Sequence, residues 1–96
     1  MGFNEVGKEW EYSEEGDSIE GFYIEVEKEV GPNKANLYSI EIAKGEVLSV
    51  WGTTILDQRM HKVTIGDKVK ITYKGLGLAR TGQNAPKLFK VEVWKD

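Results

Sequence analysis

Hydrophobic and polar residues alternate along most of this chain, which is the pattern of β-strands that bury one face. The alternation is strictest over residues 68–74, where Val69, Ile71 and Tyr73 share one face. Further strands are predicted over residues 18–30, 37–42, 47–51 and 89–94. The residues predicted to face inward in these strands are Phe22, Ile24, Val26, Tyr38, Ile40, Ile42, Leu48, Val50, Phe89, Val91 and Val93.

The alternation is interrupted once, after Gly52, by a pattern of helical spacing. Leu56, Met60 and Val63 recur at i, i+4 and i+7, which predicts one apolar stripe on about two turns of helix. We expect Thr54 to be the N-cap, with Asp57 completing a capping box. The predicted order is therefore β-β-β-α-β-β. A single short helix between the third and fourth of five strands is typical of an all-β, five-stranded OB-fold barrel.

Turn residues divide the chain without separating it into domains. Gly31–Lys34 predicts the turn between the first two strands, and residues 75–88 predict a long exposed loop between the last two. Gly21, inside the first strand, predicts a bulge or bend there. We expect one domain over residues 1–96, in which residues 1–17 form an acidic N-terminal segment.

Composition removes several classes of function. The chain has no cysteine, so neither disulfides nor thiolate metal sites are possible, and its one histidine, His61, does not predict a zinc site. Gly75 and Gly77 lack the third glycine of a dinucleotide fingerprint. No catalytic grouping, metal site or cofactor is predicted, so we expect a non-enzyme. The lack of an apolar run of about 20 residues and of a basic, apolar start predicts a soluble cytoplasmic protein that does not enter membranes.

The net charge of −3 conceals an asymmetry along the chain. Residues 1–31 contain ten acidic and two basic side chains, whereas residues 32–96 contain six acidic and eleven basic ones. A chain that is acidic overall does not bind polyanions through its bulk charge. A nucleic-acid site therefore requires basic residues to be gathered on one surface.

OB folds bind ligands on the face of strands two and three, between the loops that join strands one to two and four to five. Single-stranded nucleic acid needs cations for phosphates and flat rings for stacking. Trp51 opposes the inward Leu48 and Val50, Tyr23 is predicted to face outward, and the orientation of Tyr38 is ambiguous. The predicted binding residues are Trp51, Tyr23, Tyr38, Lys34, Lys68, Lys70, Lys74, Arg80 and Lys87.

Each of these residues also has a structural interpretation. Trp51 at a strand end can pack against a neighbouring loop instead of a base. Tyr23 can be an ordinary exposed strand residue. The strand face that carries Lys68, Lys70 and Lys74 can simply be solvated.

The order of three segments resembles the small OB-fold single-stranded DNA-binding proteins of bacteriophages: VWGTTILDQRM, VTIGDKVKITYKG and, after a Gly- and Asn-rich loop, KLFKVEV. The resemblance covers roughly residues 18–94. It implies binding of single-stranded DNA with little sequence preference during phage replication or recombination, inside the bacterial host. Many such proteins recruit partners through an acidic C-terminal tail. Asp96 follows the last strand here, so only the acidic N-terminal segment is expected to offer an analogous replication or recombination contact.

Two other functions stay open at this point. One is an OB-fold protein-interaction module that uses its groove or its acidic N-terminal arm to hold a partner. A homodimer is also open, formed either by pairing of an exposed first strand between chains or through an apolar patch of Trp10 and Trp94. The other is a single-stranded RNA binder, because the sequence does not show which sugar is recognised.

Overall fold

The computed structural model describes residues 8–79, 82 and 85–94. These residues form six strands and one short helix, which confirms the all-β class with a single helix. The elements are β1 (Lys8–Glu9), β2 (Ser18–Val30), β3 (Ala35–Ala43), β4 (Glu46–Trp51), α1 (Thr54–Met60), β5 (Lys68–Leu76) and β6 (Lys87–Val93).

All six strands belong to one sheet in the order β1-β4-β3-β2-β5-β6. Every neighbouring pair is antiparallel except β1 and β4, which are parallel. The four strands β2 to β5 lie in the spatial order of a Greek key, in which the fourth returns beside the first. Within the described residues β1 and β6 are the two edges of the sheet, so the prediction of a closed five-stranded barrel is wrong.

The N-terminal segment explains how an open sheet still covers its interior. Lys8 and Glu9 pair with Leu48 and Ser49, so β1 takes part of the β4 edge. Next in the chain, the Trp10 N–H donates to the Ser49 carbonyl at 2.8 Å. The Trp10 ring lies 6.3 Å from that of Phe89 on β6, between ring centroids. Trp10 therefore bridges the two sides of the sheet that no strand pairing joins.

Tyr12 extends this bridge into an aromatic cluster. Its ring centroid lies 4.8 Å from that of Trp10 and 4.7 Å from that of Tyr73 on β5. Trp10 is half-buried in this cluster, whereas Trp94 is exposed at the end of β6. Residues 8–17, the described part of the predicted acidic segment, are thus anchored to the core by Trp10 and Tyr12.

Strand β2 has the predicted bounds but the opposite orientation over its first half. Ile19 and Tyr23 are buried, whereas Phe22 and Ile24 are exposed, so the predicted inward face is wrong there. Gly21 shows the cause, because a Cβ at this position would collide with the Glu41 carbonyl oxygen. The buried face of β2 has room only for glycine at position 21, and the larger Phe22 lies on the opposite, exposed face.

Irregular strand pairing accounts for the remaining differences. The β2–β3 register shifts between Tyr23 and Glu25 and again between Glu27 and Val30, so the bulges follow Gly21 instead of lying at it. A further shift after Glu41 leaves the predicted core residue Ile42 exposed. An alternation that crosses a bulge changes face, and periodicity alone does not locate the change.

The other predicted faces are confirmed. The buried core consists of Ile19, Tyr23, Tyr38, Ile40, Val50, Leu56, Met60, Val69, Ile71, Tyr73 and Phe89, with Val26, Leu48, Val63, Val91 and Val93 packed partly buried against it. Strands β5 and β6 are longer than predicted, which shortens the loop between them to residues 77–86. The Gly77 N–H donates to the Pro86 carbonyl across the base of this loop at 2.7 Å.

Helix α1 begins one residue earlier than the predicted cap implies. The N-cap is Thr53, whose hydroxyl accepts from the Leu56 N–H at 3.2 Å, and no capping box involves Asp57. Leu56 and Met60 are buried, and the helix packs against β6. With seven residues, α1 lacks the length and apolarity of a membrane span, and the described chain offers no other helix.

The aromatic bridge predicts an unequal effect of two tryptophan substitutions. Trp10→Ala removes a half-buried ring from Phe89 and Tyr12, so we expect the free energy of unfolding to fall by about 2 kcal/mol in urea denaturation. Trp94→Ala is the matched control, because Trp94 is 65% exposed; its expected effect is within about 0.5 kcal/mol. Equal losses for both variants would contradict a bridging role for Trp10.

Candidate nucleic-acid interface

An open groove of about 570 Å³ lies where three parts of the chain meet. These are the turn between β2 and β3, the junction of β4 with α1, and the start of β6. Its chemically distinctive lining residues are Tyr12, Asn33, Lys34, Trp51, Asp57 and Lys87.

Trp51 ends β4 and faces the groove with 36% of its surface exposed, which confirms its predicted outward orientation. The edge of its indole lies against Gly31, where an added Cβ would be 3.6 Å from Cη2. The ring is therefore steadied by the β2–β3 turn along one edge. Trp51 therefore fits both interpretations of its sequence position, packing against a loop and stacking on a base, because it touches a loop and still presents part of its ring to solvent.

Gly52, the next residue, sets the path of the chain from β4 into α1. Its N–H donates to the Asn36 carbonyl on β3 at 2.7 Å. A Cβ at Gly52 would collide with the Asp57 carboxylate and lie 3.1 Å from the same Asn36 oxygen. Only glycine permits this approach, which brings the first turn of α1 beside Trp51.

Two of the predicted cations, Lys34 and Lys87, reach the groove. Lys34 ends the β2–β3 turn, where its N–H donates to the Gly31 carbonyl at 3.1 Å and its φ is +49°. Lys87 is the first residue of β6, and its Nζ lies 5.4 Å from the ring centroid of Tyr12. Both side chains are exposed, and no described carboxylate forms a salt bridge with either ammonium. Both charges are therefore available to an anion.

Tyr38 is buried and ties β3 to α1. Its hydroxyl donates to Asp57 Oδ1 at 2.6 Å, and Asn36 Nδ2 donates to the same hydroxyl at 3.4 Å. Burial, followed by the hydrogen bond to Asp57, raises the pKa of the Tyr38 phenol. With 3% of its surface exposed, Tyr38 faces inward and offers no ring face to a base, so the structure does not support its inclusion among the predicted binding residues.

Burial also removes Tyr23 from the residues that could stack on a base. It is 4% exposed, and its ring packs edge-on to Tyr38 with 5.9 Å between centroids. Burial raises the pKa of the Tyr23 phenol. The predicted outward orientation is wrong because Gly21 occupies the closely packed position on this face of β2, and Tyr23 follows it at the next inward position.

Lys68, Lys70 and Lys74 do not line the groove. Lys68 Nζ lies 3.9 Å from Glu20 Oε1 and 5.5 Å from the Trp94 ring centroid. Lys70 is paired across strands with Glu20 on one side and Glu92 on the other. Lys74 is exposed further along β5. Arg80 lies outside the described residues. The structure thus brings together Trp51, Lys34 and Lys87 from the predicted set.

Sequence reasoning missed two residues of the groove, Tyr12 and Asp57. Tyr12 lies outside any strand, so alternation gave no signal for it beyond its being a large ring in a polar segment. Asp57 was interpreted through its helix position, whereas its carboxylate is held by Tyr38, 19 positions earlier in the chain. Pairings over such a distance are not visible in local spacing.

The described residues contain no group of three His, Asp or Glu side chains that could hold a metal ion. No family model, curated protein or solved structure matches the chain. Over the described residues, the structure defines an all-β protein with one open sheet and a groove that combines an exposed indole with two ammonium groups that no described carboxylate pairs. The resemblance to phage DNA-binding proteins stays a prediction from the residues.

The burial of the Tyr38 phenol, together with its hydrogen bond to Asp57, predicts a pH-dependent stability because both raise the pKa of Tyr38. In the folded chain Tyr38 keeps its proton well above its ordinary pKa of 10.0, whereas the unfolded chain loses it near that value. The free energy of unfolding should therefore fall as the pH rises above about 10.

Tyr38→Phe has no phenol proton to lose at this position. Above that pH the free energy of unfolding of the variant should therefore fall less steeply than that of the intact protein, and the two slopes should differ by about 1.4 kcal/mol per pH unit. At neutral pH the same variant should lose about 1.5–3 kcal/mol, because the Asp57 carboxylate loses a donor. Urea denaturation across the pH range measures both effects. Parallel pH profiles for the two proteins would contradict the burial of a protonated Tyr38.

Proposed function

We propose that this chain is a non-catalytic single-stranded DNA-binding protein that holds the strand in the Trp51 groove with little overall sequence preference. One observation carries the proposal: the exposed indole of Trp51 and the ammonium groups of Lys34 and Lys87, which form no salt bridge with a described carboxylate, line the same groove. Single-strand binding uses flat rings for bases and cations for the phosphates between them.

The topology supports this proposal. An OB fold is a partly open Greek-key barrel that binds beside the loop between its first two strands and the loop before its last strand. Numbered from β2, this chain has the Greek-key order, a helix in the long connection before β5, and a groove beside those two loops. The added strand β1 and the aromatic bridge of Trp10 and Tyr12 would then replace the pairing that closes a barrel.

The strength of binding follows from the small number of cations. Two phosphate contacts on a single strand give a slope of about −1.4 in log affinity against log salt concentration. Stacking on one ring adds roughly 1–3 kcal/mol. The chain also carries a net charge of −3, which opposes polyanions at long range. We therefore expect a modest affinity that is detectable at low salt and depends strongly on Trp51.

Titration with oligothymidine tests the proposal directly. We expect binding at low salt with partial quenching of tryptophan fluorescence, and a loss of about 5- to 150-fold in affinity for Trp51→Ala, measured by the anisotropy of a labelled strand. Unfolding experiments on the same variant should show a retained cooperative transition. Absence of binding by the intact protein at low salt would contradict the proposal.

Lysine variants provide the matched control for this titration. Replacing Lys34 and Lys87 together by alanine should weaken binding and remove most of the salt dependence. Replacing Lys68 and Lys70 changes the net charge equally, but these residues lie among Glu20 and Glu92 and should leave the affinity within about twofold. A larger loss of affinity for the Lys68 and Lys70 variant than for the Lys34 and Lys87 variant would place the bound DNA strand on the β5 face instead.

The proposed setting is DNA replication or recombination of a bacteriophage in the cytoplasm of its host, as the resemblance implies. Tighter binding of oligouridine than of oligothymidine in the same titration would identify the chain as an RNA binder.

The exposed face of β2, β5 and β6 favours a second candidate function, self-association. Phe22 pairs across strands with Lys68, and the Trp94 N–H donates to the Lys68 carbonyl, so the three side chains follow one row. Phe22 and Trp94 are 48% and 65% exposed. The next row holds Lys70 between two glutamates, so a second copy turned by a two-fold axis could match its charges.

Sedimentation equilibrium measures this association. The dimer hypothesis predicts a dimer at high micromolar concentration that Phe22→Ser combined with Trp94→Ser abolishes, while Trp51→Ala leaves it intact. A monomer at all concentrations would exclude this function and leave the DNA proposal unaffected.

A further inference from the structure

Asp57 is the one carboxylate among the described residues that line the groove. Its Oδ1 atom accepts the hydrogen bond from Tyr38, and no described residue donates to Oδ2. The residue also lines a second cleft, together with Tyr38, Met60 and His61. A negatively charged oxygen in a phosphate-binding groove opposes phosphates, so its presence there calls for a ligand that donates hydrogen bonds.

The carboxylate is held in one position before any ligand binds. Tyr38 fixes Oδ1 at 2.6 Å, and the backbone of Gly52 lies against the same oxygen. Because Tyr38 is buried and Gly52 leaves no space for movement toward β3, the free lone pairs of Asp57 have a defined direction. A fixed acceptor discriminates between ligands better than a mobile one, because no ordering cost must be met on binding.

Guanine is the base whose hydrogen-bonding groups fit such a site best. On its Watson–Crick edge guanine has two adjacent donors, N1–H and the N2 amino group, beside the acceptor O6. Thymine has one donor between two acceptors, which a carboxylate repels. Adenine and cytosine each place one amino donor beside a ring acceptor. An ammonium group suits guanine O6, and Lys34 and Lys87 supply two in the same groove.

We propose that Asp57 makes this groove a base-reading subsite that prefers guanine. The inference rests on the proposed function, because it concerns a base held beside Trp51 in the same groove. A guanine there would stack on the Trp51 indole, donate from N1 and N2 to the Asp57 carboxylate, and accept through O6 from a groove lysine. The rest of a bound strand would be held through its phosphates, so the protein binds any sequence and gains affinity where a guanine enters the groove.

The test compares three strands that differ in one base. A short oligothymidine carries a central deoxyguanosine, a central deoxyinosine, which lacks only the N2 amino group, or thymidine throughout. We expect the guanine strand to bind on the order of tenfold more tightly than the thymidine strand, with inosine between them. Because every strand has one phosphate backbone and length, the ratios report the base contact alone.

Asp57→Asn is the decisive variant. An asparagine in the same orientation still accepts from the Tyr38 hydroxyl through Oδ1 but presents an amide donor where Oδ2 was. The guanine advantage should vanish, while the affinity for plain oligothymidine stays equal or rises because a negative charge has been removed. Glu92→Gln is the control, since it removes a negative charge outside the groove and should preserve the guanine advantage.

The outcomes separate the two proposals. If the intact protein binds all three strands equally, or if Asp57→Asn keeps the full guanine advantage, the base-reading role is overturned and strand binding stands. If the intact protein binds none of the strands at low salt, both the proposed function and the guanine preference are overturned. Unfolding curves for Asp57→Asn that match those of the intact protein ensure that a lost preference reflects the lost acceptor.

Discussion

The junction between β4 and α1 is the constraint on which the candidate site depends. Gly52 brings the chain so close to β3 that its N–H bonds to Asn36 and no side chain fits at its Cα. The Tyr38–Asp57 hydrogen bond then fastens the first turn of the helix to the same strand. As a result the exposed Trp51 ring and the Asp57 carboxylate line the same groove.

This junction also separates two surfaces with different chemistry. On the groove side, an exposed ring is accompanied by two lysines that no described carboxylate neutralises. On the face of β2, β5 and β6, lysines lie among Glu20 and Glu92, and exposed Phe22 and Trp94 flank Lys68. The lysines of the groove and those of the β2, β5 and β6 face thus have different electrostatic surroundings. This difference decides which of them can attract an anion in an acidic protein.

The sequence predicts the strands β2 to β6, the single helix and most of the core, but not the short strand β1, because period-two alternation as in β5 and β6 follows directly from burial of one face. It fails over β2, where Tyr23 and Phe22 exchange sides, since the close approach of Glu41 to Gly21 is a contact between distant residues. It also fails to predict that Trp10 and Tyr12 bridge the open sheet, because these rings lie outside any periodic segment. Among the site residues, local pattern was sufficient for Trp51, whereas Asp57 required knowledge of its partner Tyr38.

The measurement that tests the central claim most directly follows the indole N–H signals of the three tryptophans by nuclear magnetic resonance during titration with oligothymidine. Trp10 is half-buried in the aromatic bridge, Trp94 lies on the β5–β6 face, and Trp51 is exposed in the groove, so each signal reports one region. The account predicts that the Trp51 signal shifts progressively with added strand while those of Trp10 and Trp94 stay in place. A titration that moves the Trp94 signal and leaves Trp51 unchanged would contradict it.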